Sequence, residues 1–540
     1  MTTAAATVTD LLLHLRDDDD HGILFEDTRI PWSEHVALCT DTAAALASLL
    51  DPAAPPHVGV LLDNVPEFSL LLGASAIGGT VLVGLNTTRR GAALAGDVAR
   101  ADCQIVVTDS DKARLLEGLD LGATRVVLVD SPHWRDLLAA HRDSATPDVA
   151  AGPDDLFMLI FTSGTSGDPK AVRVTHRMVA GPGAMLADRF GLSSDDTAYA
   201  SMPMFHSGAV MACWAVALAA GANFALRRKF SASGFIPDVR RFGATYAHYV
   251  GKPLAYVLAT PEQADDADNT LKILYGNEGA PSAIDEFSRR FDVRVVDGFG
   301  STEGGVLISR TPGTPRGALG MLPAGIAALD PDTGQPCPTA EFDASGHIVN
   351  ADVATGELVN TAGTGSFAGY YKNPHADAER VRDGQYWSGD LGYVDADGYV
   401  YFAGRSSGWM RVDGENLGTA PIENVLARHP RIVEVAAYAV PDPQVGDRVA
   451  VAVVAADGFD IDEFAEFVSQ APDLGPKQVP SFVRVTTDLP KTATYKVLGR
   501  SLSAQRWNSA DPTWFRAAGA TSFVPVTSDL AAKLDAELDR

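Results

Sequence analysis

A chain of 540 residues is too long for one hydrophobic core and implies at least two domains. With 46 % hydrophobic and 21 % charged residues it has the composition of a globular protein, not of a disordered or fibrous one. A formal net charge of −26 excludes a broad nucleic-acid-binding face, so any anionic ligand must be met by a local basic site.

Taken in chain order, Met1–Arg16 lacks a basic n-region and carries only the short run Leu11-Leu12-Leu13, so it does not read as a secretory signal. Asp17–Asp20 reads as a solvated acidic turn. From Val58 onward, strand-like runs (Val58–Leu62, Val81–Leu85, Ile105–Thr108, Arg125–Val129) alternate with helix-like ones (Glu67–Ile77, Ala92–Ala101, Lys112–Gly118). That alternation predicts parallel sheets covered by helices. Cys39, Cys103, Cys213 and Cys337 have no paired or metal-ligand spacing, which favours a reducing, cytoplasmic setting and argues against structural zinc. The uncharged runs Phe68–Thr88 and Ser201–Leu226 have the length of a membrane span. Glycines break both, and His206 and Asn223 interrupt the second, so they read as buried core, with peripheral membrane contact left open.

The apolar run Leu156–Phe161 leads into Thr162-Ser163-Gly164-Thr165-Ser166-Gly167-Asp168-Pro169-Lys170. Glycines let backbone N–H groups face an anion, hydroxyls add donors, and Lys170 adds positive charge; this is a polyphosphate-gripping loop. It is not a Walker A loop, because Lys170 enters the β-like Ala171–Val174 instead of a helix. Taken alone, the stretch also reads as a solvated Gly/Ser hairpin. A second α/β round follows, with strands at Asn223–Leu226, Tyr246–Val250, Leu271–Tyr275 and Val293–Val296 and helices at Met211–Ala220, Phe235–Phe242 and Ser282–Arg290. Ligands of such folds sit beyond the carboxyl ends of the strands. After Arg316 the chain turns strand-like and rich in Gly and Pro, and Gly404–Gly408 marks the best boundary. The strands Val435–Ala439, Val449–Ala455 and Phe482–Val485 and the helix Asp462–Ser469 then predict a small α+β C-terminal domain. The fold class is therefore α/β. Residues 1–404 form a large domain of helix-covered, largely parallel sheets with a strand-rich subdomain, and 405–540 form the α+β lid.

Four further stretches follow the phosphate loop in order: Phe299-Gly300-Ser301-Thr302-Glu303, Tyr386-Trp387-Ser388-Gly389-Asp390, Gly404-Arg405-Ser406-Ser407 and Pro490-Lys491-Thr492-Ala493-Thr494-Tyr495-Lys496. As an ordered set they resemble the adenylate-forming superfamily of acyl-CoA synthetases, peptide-synthetase adenylation domains and luciferases, from about Ile30 to the C-terminus. The resemblance implies that a carboxylate attacks the α-phosphorus of ATP, giving an acyl-adenylate and pyrophosphate, and that the thiol of coenzyme A then displaces AMP. It implies that Thr162, Ser163, Gly164, Thr165, Ser166, Gly167 and Lys170 enclose the β- and γ-phosphates. Thr302 would donate to the α-phosphate, and Glu303 would hold Mg²⁺. Phe299, Gly300 and Ser301 would line the nucleotide, with Phe299 offering adenine a flat face where the family usually has tyrosine. Gly276–Pro281, with Gly279, Ala280 and Pro281, looks like the adenine-edge loop. Asp390 follows the turn Ser388-Gly389 and would accept from both ribose hydroxyls, and Arg405 would bridge ribose and phosphate. Lys496 would set its ammonium against the reacting carboxylate. A lid rotation between half-reactions would withdraw it and bring the Val412–Leu417 loop to the thiol channel.

Three departures matter. Tyr495 stands where a glycine usually precedes the lysine. With Gly414-Glu415-Asn416, that points to the fatty-acid-transport-protein and very-long-chain acyl-CoA synthetase branch. The hinge position holds Ser407 instead of aspartate or lysine. His206, in Met204-Phe205-His206-Ser207-Gly208, fills the slot where amino-acid-activating domains carry an aspartate. An α-amino acid would then bury an unpaired ammonium, whereas the small apolar run Ala209–Ala217 suits an aliphatic or terpenoid tail or is ordinary core. The expected activity is an AMP-forming CoA ligase for a medium- or long-chain or steroid side-chain acid. The alternatives are an acyl-AMP ligase serving a carrier protein and a lipid-uptake protein of the same fold. Nucleic acid is not an expected partner, and a homodimer is left open.

Overall fold

The computed structural model describes residues 6–147, 151–162, 169–251, 253–279, 281–343, 348–405, 410–412, 415–442, 446–471, 474–475, 477–492, 497–517 and 519–538. The chain divides into two compact units, Met1–Leu307 with Thr364–Glu379, and Ile308–Gly363 with Arg380–Arg540.

The first unit holds two helix-covered sheets. One runs in the order Arg125–Leu128, Ile105–Thr108, His57–Leu61, Val81–Gly84, Leu156–Thr162, Lys170–Thr175. Its neighbours are parallel except for the last pair, an antiparallel hairpin. His57–Leu61 and Val81–Gly84 are buried along their whole length, as doubly covered parallel strands must be. Leu94 and Val98 of the helix Gly91–Arg100 pack on Val81, Val83 and Val106 of this sheet. The run Phe68–Thr88 resolves as expected into a helix, Pro66–Gly78, and a strand. Proline opens that helix and Gly79, at φ 68°, closes it in the left-handed conformation.

The other sheet orders Arg294–Phe299, Ile273–Asn277, Tyr246–Val250, Thr197–Ala200, Asn223–Leu226, Gly22–Phe25 and Thr28–Pro31. Among these seven strands all neighbours but the final hairpin are parallel, so the strands of the second α/β round stand as read. Among the described residues no helix is long and apolar enough to cross a membrane.

Two helices differ from expectation. In place of one helix over Met211–Ala220, the chain forms Ser207–Ala209, a π-helical turn Val210–Trp214, and Ala215–Ala220. Long-range partners hold the π-turn: the Trp214 Nε1–H donates to Ser69 Oγ at 2.8 Å and the Tyr246 hydroxyl to the Ala212 carbonyl at 2.7 Å. Over so few residues a hydrophobic period cannot separate i+4 from i+5 bonding. In place of a helix over Lys112–Gly118 only Ser110–Ala113 is helical. There the Lys112 ammonium is drawn into ion pairs with Asp63 at 2.8 Å and Asp111 at 2.9 Å. The helix His176–Phe190 escapes a sequence reading because Pro182 lies inside it.

In the second unit an antiparallel sheet runs Ala318–Met321, Tyr399–Arg405, Gln385–Val394, Gly356–Asn360, Ile326–Leu329, which accounts for the strand-like sequence beyond Arg316. A second sheet is built on Gly446–Ala455, paired with Ile432–Asp442 and Phe482–Thr486. Its alternation is strict. Val449, Val451 and Val453 enter one core with the helices Thr419–Leu426 and Ile461–Gln470, and Ala450 and Ala452 enter another with Leu502 and Leu534. The predicted boundary falls at the end of Tyr399–Arg405, and residues 406–409, Ser407 among them, lie outside the described residues.

Candidate active site

Most of the predicted residues in the first unit sit where parallel strands end. The strand Thr197–Ala200 runs into a turn that presents His206 as the N-cap of Ser207–Ala209. Asn64 holds that turn, with its Nδ2 donating to the Met202 carbonyl and its Oδ1 accepting from the Met204 N–H, both at 2.9 Å. Gly84 lies beneath it, and a Cβ there would come within 2.8 Å of the Phe205 carbonyl oxygen. The His206 Nε2 is buried with no hydrogen-bond partner among the described residues, and burial pushes the imidazole down to about 4. The ring of His248, from the strand Tyr246–Val250, covers Gly208, whose Cβ would fall 2.4 Å from its Cε1. Burial pushes His248 down to about 4 as well, against a smaller opposing effect of the Asn277 amide, and pushes His35 to about 3.

These rings stay neutral in the folded chain, while the unfolded chain titrates them near 6.5. As pH falls below about 6.5 the unfolded state takes up protons first, so stability should drop from there toward pH 4. A denaturation midpoint followed from pH 7 to 5, where most carboxylates remain ionised, should decline. The slope should be shallower for His248→Gln, and an unchanged slope would refute the assignment.

The adenine-edge loop follows the strand Ile273–Asn277. Glu278 takes φ 63° and the Gly279 N–H donates to Asp297 Oδ1 at 3.1 Å. The Tyr249 hydroxyl donates to the same oxygen at 2.5 Å. Gly276 is required, since a Cβ would sit 2.4 Å from the Tyr249 ring. Pro281 opens the helix Pro281–Phe291, and Ala280 lies outside the described residues. The neighbouring strand Arg294–Phe299 ends on the half-buried Phe299 and continues through Gly300 and Ser301 to Thr302 and Glu303. The Thr302 and Ser207 hydroxyls are 2.8 Å apart, which joins the predicted α-phosphate donor to the loop bearing His206. The buried Glu303 accepts from the Tyr370 hydroxyl at 3.0 Å.

Thr162 and Lys170 face each other across the antiparallel hairpin that carries the phosphate loop, and Ser163–Gly167 lie outside the described residues. Lys170 is only 5 % exposed and its Nζ lies 2.6 Å from Glu379 Oε2.

In the second unit Asp390 and Arg405 are register partners on adjacent antiparallel strands, so two predicted nucleotide residues from successive motifs lie side by side. Ser388-Gly389 is not a free turn but an irregularity within the strand Gln385–Val394, with Gly389 at φ 74° and its N–H donating to Glu357 Oε1 at 2.6 Å. Burial raises the pKa of Glu357. Lys496 lies outside the described residues.

Asn64, Tyr249, Asp297, Glu357 and Tyr370 belong to none of the motifs quoted above, and each supports a predicted site residue or the loop that carries it. Among the described residues no group of three or more His, Cys, Asp or Glu surrounds a common point. One buried carboxylate, Glu303, suits Mg²⁺, which is commonly held by one or two carboxylates together with substrate phosphates.

Residues 14–371 match the AMP-binding enzyme family and residues 421–496 the AMP-binding enzyme C-terminal domain. The chain belongs to the AMP-binding enzyme family. The adenylate-forming superfamily expected from the motifs is thereby borne out. Within the family the chain is 58 % identical to the medium/long-chain-fatty-acid–CoA ligase FadD17 of Mycobacterium tuberculosis, covering 95 % of this chain and 99 % of that one. It is 47 % identical to the steroid-22-oyl-CoA synthetase of Rhodococcus jostii, covering 95 % and 94 %. Its fold matches ATP-bound MatB from Rhodopseudomonas palustris with a TM-score of 0.80 at 24 % identity, over 93 % of this chain and 98 % of that one.

Proposed function

We propose that this chain is an ATP-dependent, AMP-forming CoA ligase for medium- to long-chain or steroid side-chain carboxylates. The observation that carries the substrate class is the neutral His206 with its buried Nε2 at the head of the apolar run Ala209–Ala217. The likeness to two CoA ligases named for fatty and steroid acids supports it. A carboxylate oxygen attacks the α-phosphorus of ATP and pyrophosphate leaves; the thiol sulfur of coenzyme A then attacks the acyl carbon and AMP leaves. Thr302 donates to the α-phosphate and Lys170 faces the β- and γ-phosphates with Thr162–Gly167. Phe299, Gly300 and Ser301 with the Gly279–Pro281 loop take the adenine. Asp390 and Arg405 hold the ribose, and Lys496, carried on a lid formed by 405–540, stabilises the adenylation transition state. Glu303 would hold Mg²⁺, which when bound neutralises phosphate charge. The reading places the enzyme in the cytoplasm, meeting its acid in solution or at a membrane surface.

The test is a series of straight-chain acids and a sterol-bearing acid, assayed for pyrophosphate release with and without coenzyme A. Each buried methylene should add about 0.8 kcal/mol, or roughly fourfold in kcat/KM, until the pocket is full. Best activity with acetate or an amino acid, or no dependence on length, overturns the lipophilic-acid reading. Full turnover only with an acyl-carrier thiol would instead make the chain an acyl-AMP ligase.

A further inference from the structure

The segment Thr364–Glu379 belongs to the first unit and touches two residues read above as ATP-facing. Gly365, at φ 60°, lies against the carbonyls of Gly304 and Gly305, and the Ser366 N–H donates to the Gly304 carbonyl at 3.2 Å. Gly369–Tyr371 then runs along the strand Lys170–Thr175. The Gly369 carbonyl accepts from the Arg173 N–H at 3.0 Å and the Tyr371 N–H donates to the Ala171 carbonyl at 2.8 Å. This alignment places the Tyr370 ring 5.3 Å from Lys170 Nζ while its hydroxyl holds Glu303. The helix Pro374–Arg380 carries Glu379, whose Oε2 lies 2.6 Å from the same Nζ.

The two partners of this ion pair differ in their access to water. The Lys170 side chain is 5 % exposed and needs a counter-ion at all times, because a buried lone ammonium is costly. The Glu379 side chain is 41 % exposed and can return to water cheaply. Its other oxygen already lies 3.5 Å from the exposed imidazole of His375, four residues earlier on its own helix. A carboxylate left against Lys170 would repel an arriving polyphosphate at close range. We infer that Glu379 is an exchangeable counter-ion: it holds Lys170 in place while the site is empty, yields it to the triphosphate, and reclaims it as pyrophosphate leaves. Glu379 is thus a positioning residue that weakens polyphosphate binding selectively and assists product release. Tyr370 keeps the Lys170 ammonium over its ring throughout the exchange.

This rests on the reading that Lys170 faces the triphosphate, and calorimetric titration of ATP, pyrophosphate and AMP in EDTA separates the two. Glu379→Gln should bind ATP and pyrophosphate about two- to fivefold more tightly, the worth of a part-exposed ion pair. AMP affinity should be unchanged, and Glu379→Asp should restore wild-type values. Should the glutamine variant fail to fold, Glu379→Ala is read in the same way. Unchanged or weaker ATP binding, or an equal change for AMP, overturns the exchange. If Lys170→Ala leaves ATP affinity intact, the phosphate-facing reading of Lys170 fails. If Lys170→Ala weakens ATP while Glu379→Gln changes nothing, only the exchange fails.

Discussion

Lys496→Ala is expected to lower acyl-adenylate formation by about 10²–10³-fold or more while leaving attack of coenzyme A on supplied acyl-adenylate largely intact. The magnitude is that of removing one preorganised cation or donor from a developing charge in a water-poor site. The motif has two lysines, and Lys491 is not available for this role. Lys491 is 12 % exposed and spent on ion pairs with Glu434 at 3.0 Å and Asp488 at 2.8 Å. It also bridges Val497, and the Leu498 N–H donates to the Pro490 carbonyl at 2.8 Å, so both ends of the stretch that includes Lys496 are pinned. Lys491→Ala should therefore lower the melting temperature but retain adenylation in the folded fraction. Pyrophosphate release and thiolysis of synthetic acyl-adenylate, measured separately, decide the matter. Equal loss of both half-reactions in a folded Lys496→Ala variant would falsify this division.

Asp390→Ala should weaken ATP binding by about 3 kcal/mol, roughly a hundredfold, since two charge-assisted hydrogen bonds to the ribose hydroxyls disappear. The carboxylate is buried, and the strand irregularity that presents it is held by the Glu357–Gly389 hydrogen bond. The effect should therefore appear in ATP affinity and only weakly in the maximal rate at saturation. The sharper readout is 2′-deoxy-ATP. Wild type should discriminate strongly against it and the variant should do so much less. Equal discrimination by both proteins removes Asp390 from the ribose.

The sequence was most legible where chemistry demands an uninterrupted motif. The Gly- and hydroxyl-rich loop is read correctly as flanked by two strands, because Lys170 leads into a run in which Val172, Val174 and Thr175 are β-branched. Asp390 and Arg405 are each recognisable in their own motif, but that they are register partners is a property of strand pairing that neither motif contains. The π-turn at Val210–Trp214 was illegible for a different reason. The turn is tied by hydrogen bonds to Ser69 and Tyr246, 145 and 34 residues away, which no local pattern records. The Pro182-containing helix was obscured by a rule of local propensity that tertiary packing overrides.

By itself the sequence determined the superfamily, the α/β class and the order of the sheets' building blocks, and it singled out the residues proposed to meet ATP. Each of these is encoded in contiguous residue types or in a short-range period. Only the tertiary structure decided what holds those residues. Asn64 sits under the His206 turn, Asp297 fastens the Gly279 loop, Glu357 fastens Gly389, and Tyr370 with Glu379 attends Glu303 and Lys170. The physical reason is that a hydrogen bond or ion pair depends on a few ångströms of approach, whereas these partners are separated by 18 to 209 residues of chain. Composition and periodicity carry no trace of such a distance until the sheets have formed and brought the two ends together.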